Sequence, residues 1–124
     1  GPYYLFFRPY HLCHLETPRA IAKAVLYGEA LLQPWVGRMA DVYAFAKCDA
    51  AAGSVIEHGI GDDLVYGQIA MAKDSRNWVP VTVLDSPGQV TLKRDVVKDQ
   101  VITWDDVEWS DRSMVDFFLN NILG

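Results

Sequence analysis

Cysteine is scarce in this sequence: Cys13 and Cys48 are the two in 124 residues. Small secreted domains held by a disulfide framework carry more, and with 51% hydrophobic residues the chain can build a core without a staple. Free thiols and a cytoplasmic location are therefore expected. Apolar runs are short, a handful of residues against the roughly 20 that cross a bilayer, so no membrane segment is expected. Basic residues are the minority, 11 Lys and Arg against 16 Asp and Glu, a net charge of −5, and they are scattered. That argues against sequence-independent nucleic-acid binding, which needs them clustered. No G-x-G-x-x-G opens a helix after a strand, so a dinucleotide fingerprint is missing. Gly59-Ile60-Gly61 is a fragment of one, better explained by a hairpin or bulge that needs positive φ. An initiator Met is missing too, and the chain is expected to begin inside something larger.

What is present reads, from the start, as strand, loop and helix. Residues 3–7 (YYLFF) form a continuous apolar run of the kind a doubly buried strand shows. Arg8-Pro9 ends it. Thr17 is the expected N-cap of a helix with Pro18 at its first position, Ile21, Ala24, Val25 and Leu26 on its apolar side and Gly28 as its stop. Residues 32–38 (LQPWVGR) read as a boundary. Beyond it, strands are expected over residues 41–47, 64–71, 79–84 and 90–93, the last two joined as a hairpin through Asp85-Ser86-Pro87-Gly88. A closing helix follows Trp109, capped by Ser110 or Ser113, with Met114, Phe117, Phe118 and Leu119 as its stripe and Gly124 as its end.

The second half contains an echo of itself. Residues 46–56 read AKCDAAAGSVI and residues 92–102 read LKRDVVKDQVI, with Asp49 and Asp95 separated by 46 positions (95 − 49). Each copy describes a strand, an Asp able to bond the backbone of a tight turn, a reversal and a short strand ending in Val-Ile. Gly53 supplies the positive φ freely, and Asp99 is among the few side chains that tolerate it. A structural repeat is the expected meaning, with an Asp-based ligand site as the sharper alternative.

Chemistry-bearing residues concentrate in RPYHLCHLE, residues 8–16. Zinc is disfavoured there. His11, Cys13 and His14 lack a second pair at knuckle spacing, and adjacent residues of an extended chain point apart. A Cys–His catalytic pair lacks an orienting third group. Anion binding by Arg8 and His11 beside a helix N-terminus fits better, with an Arg8–Glu16 ion pair as the structural alternative. Asp105, Asp106, Glu108 and Asp111 are expected to form a solvated turn into the last helix.

Lys47, Asp49, Gly53 and Ile56 match the opening K-x-D-x-x-x-G-x-x-I of the SAF domain, the β-clip module also known as the antifreeze-like domain of sialic acid synthases. Val101, Ile102, Thr103, Asp106 and Val107 match its closing V-I-T-x-x-D-V, while Asp99 departs from the glycine usual in the second clip. The resemblance covers about residues 38–109. The preceding stretch, with F-R-P-Y-H-L and then E-x-P leading into a helix, resembles the end of the catalytic region in bacterial homoserine-dehydrogenase-like and deoxyxylulose-phosphate-reductoisomerase-like oxidoreductases. These carry a Rossmann domain first and a SAF-like domain last.

The resemblance implies a mostly β fold with flanking helices: a strand-helix remnant of an α/β catalytic domain (1–37), a SAF-like β-clip domain (38–109) and a C-terminal helix (110–124). It implies no cofactor in this stretch, NAD(P) in the parent enzyme, and no catalytic or metal-binding residue here. The expected partners are the upstream domains of the same chain, with homo-oligomerisation through an orphaned strand at residues 3–7. The alternative function is an autonomous module binding a sugar acid or phosphosugar, with Arg8, His11, Lys47 and Trp104 as candidate ligand-binding residues.

Overall fold

The computed structural model describes residues 5–30 and 35–121. Two compact units divide the chain, Gly1–Gly37 and Arg38–Gly124.

In the first unit, helix α1 runs over Cys13–Tyr27 and begins earlier than the Thr17-Pro18 pair suggests. The carbonyl of Leu12 accepts the N–H groups of Leu15 and Glu16, both at 2.8 Å. The Glu16 carboxylate turns back to the Leu12 N–H at 3.3 Å. That carboxylate does for the first turn what a Thr17 cap was expected to do, so Pro18 falls inside the helix, where its missing N–H forfeits a bond. At the other end Gly28 adopts the left-handed conformation, φ 65°, and returns its N–H to Ala24 at 3.2 Å. Of the expected strand over residues 3–7, Leu5, Phe6 and Phe7 are 95, 92 and 84% exposed and form no strand. A strand needs a ladder partner, and none lies among the described residues. Residues 3 and 4 lie outside the described part, as do residues 32–34 of the expected boundary.

The second unit is mixed α/β. Its strands are β1 (Ala40–Ala46), β2 (Val55–Ile56), β3 (Val65–Met71), β4 (Val90–Leu92) and β5 (Val107–Trp109), and its helices are α2 (Val81–Leu84) and α3 (Ser113–Asn121). β1 and β3 form one antiparallel sheet, with Ala46 opposite Val65, and β2-β4-β5 form a second. With three α-helices and no barrel among the described residues, "mostly β" overstates the strand content. The expected strand over residues 79–84 is the main correction. Trp78 and Pro80 make isolated bridges to Thr103 and Tyr43, and the chain then turns helical. Pro80 has no N–H for a ladder, and its carbonyl instead accepts the Val83 N–H at 3.0 Å. The turn buries Val81, Val83 and Leu84 together, so a single helical turn hides all three apolar side chains where strand alternation would expose one. No hairpin therefore joins residues 79–84 to β4.

The echo of residues 46–56 and 92–102 is a pseudo-twofold axis. Ala50 and Val96, related by the repeat, bond each other reciprocally at 3.0 and 2.9 Å. Around that pair the bonds that close the clips come in mates. Asp49 accepts the Lys98 N–H at 2.7 Å, and Asp95 accepts the Ala52 N–H at 2.8 Å. Gly53 donates to the Leu92 carbonyl at 2.8 Å, and Asp99 donates to the Ala46 carbonyl at 2.7 Å. Both reversal residues have positive φ, 89° at Gly53 and 64° at Asp99. Each aspartate thus caps the opposite clip rather than its own, the feature a reading of one copy at a time does not show. The core packs against these clips, with Ala44, Ala46, Ile56, Val90, Leu92 and Ile102 buried. Val115 anchors α3 to it, while Met114 and Phe117 stay largely exposed. The helix stripe is therefore Val115, Phe118 and Leu119.

Two glycines separate conformational from steric cost. A side chain at Gly53 would meet nothing within 4 Å, whereas one at Gly59 would lie 1.8 Å from the Val81 carbonyl oxygen. In urea unfolding, Gly53→Ala is expected to lose about 1 kcal/mol through its positive φ alone, and Gly59→Ala about 3 kcal/mol or all cooperative folding. Asp49→Ala and Asp95→Ala should each cost about 1 kcal/mol, as mates across the axis.

Candidate functional site

Three separate polar constellations hold the candidate residues. In the first unit Glu16 gathers both candidate anion ligands. Arg8 pairs with its carboxylate, and His11 Nδ1 lies 3.7 Å from the second oxygen. The Leu12 N–H is the main cause that keeps the Glu16 carboxyl below its ordinary pKa, with Arg8 and His11 adding to it. A helix start already holding its own carboxylate, with the Arg8 and His11 side chains turned to that group, is engaged from within the chain, which is the structural alternative for Arg8. Cys13 and Cys48 are free and exposed. No group of three or more His, Cys, Asp or Glu placed to hold a metal ion occurs among the described residues.

The second constellation surrounds Asp106. Rather than joining a solvated acidic turn, Asp106 is buried. It accepts the Thr103 N–H at 2.7 Å, the Thr103 hydroxyl at 2.5 Å and the Arg94 guanidinium. Burial acts to raise its pKa, and these donors outweigh burial and hold it below the ordinary value. Its counterpart across the pseudo-twofold is Asp62, also buried, which accepts the N–H groups of Glu57, His58 and Leu64 at 2.9, 3.1 and 2.6 Å. There too burial opposes the charge and the backbone donors prevail. The available signal was the spacing, a carboxylate a few residues after the Val-Ile pair in both copies. Trp104 lies beside this network. Its indole N–H donates to the Arg76 carbonyl at 3.2 Å, and its ring packs on Trp109 and Phe118 at 5.8 and 6.3 Å. Those contacts give Trp104 a packing role.

The third is a groove of about 480 Å3 lined by Lys47 together with β1, β3, the start of α2 and the Gly59-Ile60-Gly61 loop. Lys47 Nζ donates to the Asp62 carbonyl at 3.1 Å, so the second constellation positions the one candidate ligand residue found in this groove. The glycine loop does not open a helix. It leaves β2 and enters the turn capped by Asp62, with the Gly59 N–H donated to Asp85 at 2.9 Å. The dinucleotide fingerprint sets such amides at a helix N-terminus, so this loop does not fit that fingerprint. No helix among the described residues is long and apolar enough to cross a membrane. No protein-family model matches the chain, and no curated protein is detectably similar to it in sequence.

Both buried aspartates titrate below the usual value of 3.8 when folded. The stability they contribute is complete above that value and is lost as pH falls through their lowered folded-state pKa values. Melting temperature should be nearly flat from pH 7 to 5 and drop steeply below about 4. Asp106→Ala, which strands the Thr103 donors, should cost about 2–3 kcal/mol at pH 7 and flatten the acid limb; both are read by thermal denaturation across pH.

Proposed function

We propose that the chain is the non-catalytic C-terminal portion of a bacterial NAD(P)-dependent oxidoreductase resembling homoserine dehydrogenase. Its second unit is a SAF-like β-clip domain that completes the catalytic domain or its oligomer interface, and its nicotinamide cofactor belongs to upstream domains. One observation carries this reading. Most of the residues that carry the SAF resemblance make the clips: Asp49 bonds the opposite turn, Gly53 supplies a reversal, Ile56 and Ile102 are core, and Asp106 pins Thr103. A motif consumed in folding is what a structural module requires, whereas a catalytic motif leaves reactive groups unsatisfied. The Arg8–Glu16 pairing points the same way in the first unit.

Isothermal titration of the chain with NADPH and NADH should give no saturable heat, and nucleotide binding would overturn the reading. The genomic sequence upstream of the Gly1 codon is the second test. It should continue in frame into a catalytic domain preceded by a strand, a G-x-G-x-x-G turn and a helix. A stop codon or an unrelated domain there defeats the proposal.

A further inference from the structure

The groove beside Lys47 has a composition that defines a ligand class. Its volume, about 480 Å3, falls within the roughly 300–1,000 Å3 of small-molecule sites. Val42 from β1, Val81 from α2 and Ile60 from the glycine loop give it aliphatic walls, with the backbone of Gly67 on β3 between them. A side chain at Gly67 would sit 2.5 Å from Val42 Cγ1, so it would displace Val42 from that wall. Because Ala44 exchanges its bonds with Val79 and Ile102, its partner Gly67 turns its N–H and C=O away from β1, leaving them on the outer edge of the sheet.

Two charged residues line the same space, and only one is compensated. Asp41 is held by Arg38 at 2.6 and 3.0 Å, so its charge is met within the protein. Lys47 spends one of its three donors on the Asp62 carbonyl and pairs with no carboxylate among the described residues. An aliphatic groove with one uncompensated ammonium is complementary to a monoanion with an apolar body. A sugar acid fits less well, since most of its hydroxyls would face Val42, Ile60 and Val81, with the Gly67 backbone and the Thr82 hydroxyl as the few polar partners in the lining. A phosphate dianion is better served by a guanidinium fork or a ring of amides than by a single ammonium.

We propose that this groove is a binding site for a small carboxylate with a compact apolar body, the carboxylate on Lys47 and the body against Val42, Ile60 and Val81. The inference goes beyond the accessory-domain reading and stands without it, since nucleotide binding and groove binding are separate measurements.

The test compares hexanoate with hexan-1-ol, equal in chain length and different in charge, by titration monitored through backbone amide chemical shifts of the intact chain. Hexanoate should bind saturably, shift the amides of Gly59, Gly61 and Gly67, and bind about tenfold more tightly than the alcohol. Lys47→Met should erase that preference and leave hexan-1-ol binding within about twofold. Ile60 is 74% exposed, so Ile60→Asp leaves the core intact; it should weaken hexanoate about tenfold or more by setting a like charge in the groove. Equal binding of acid and alcohol, a preference that survives Lys47→Met, shifts confined to other residues, or no saturable shift at millimolar hexanoate would each overturn the proposal.

Discussion

The reciprocal bridge between Ala50 and Val96 is the constraint from which the second unit is built. Two turns meet there back to back, and each borrows the other's aspartate to satisfy an amide, Asp49 for Lys98 and Asp95 for Ala52. Neither turn can close by itself without leaving a backbone donor unmet. The strands that leave the bridge are thereby committed to cross: β2 pairs with β4, and Val101 takes the equivalent place against Phe45. The core side chains between them, Ile56 and Ile102 among them, are mates in the same symmetry. Burial of about this kind stabilises by roughly 25 cal/mol per Å2 of apolar surface. It is the crossing, however, that decides which apolar surfaces face each other.

The two copies part company in the loops that follow the Val-Ile pairs. In the second copy Thr103 and Asp106 close a short turn, and the chain passes at once into β5. In the first, the equivalent bond from Glu57 to Asp62 spans a longer loop that contains Gly59, Ile60 and Gly61. That extra length is anchored from outside the repeat, by Asp85 on the Gly59 N–H. The groove lined by Lys47 lies against this loop, where the pseudo-symmetry breaks. The shared part of the repeat holds the unit together, and the unshared part leaves space. Lys47 and Lys93, mates in the repeat, therefore differ in surroundings although their N–H groups make the same bond, to Leu64 and Asp106 respectively.

Elements whose signals are local were legible in the sequence. β1 and β3 follow from their apolar strand patterns, the stop at Gly28 from its freedom at positive φ, and the repeat from the matched Asp and Val-Ile positions. What was not legible depended on a partner distant in sequence. Residues 79–84 have strand composition, and burial on the core, together with Pro80, makes residues 81–84 a turn of helix. The exchange of caps between clips is invisible because Asp49 would serve a local turn equally well. Of the candidate site, Lys47 could be singled out from its motif, but the groove's aliphatic walls come from three separate segments and carry no common pattern. Asp106 looked solvated because its neighbours Asp105 and Glu108 are exposed, while its own position turns inward to Thr103 and Arg94. The Trp104 ring packs on those of Trp109 and Phe118, a contact its place in the motif does not reveal.

Exchanged caps also govern how this unit can come apart. The turn at Pro87 and Gly88 is exposed and lies between the two copies. A protease cut there yields two peptides, each with one aspartate whose acceptor role is fulfilled only by the other peptide. Neither piece carries a closed clip, so neither has a folding domain's cooperativity by itself. Mixed, they would be expected to regain structure by association, with a midpoint that depends on concentration as a heterodimer's does. A single chain crossing itself at Ala50 and Val96 is, in this respect, a dimer whose subunits happen to share a backbone.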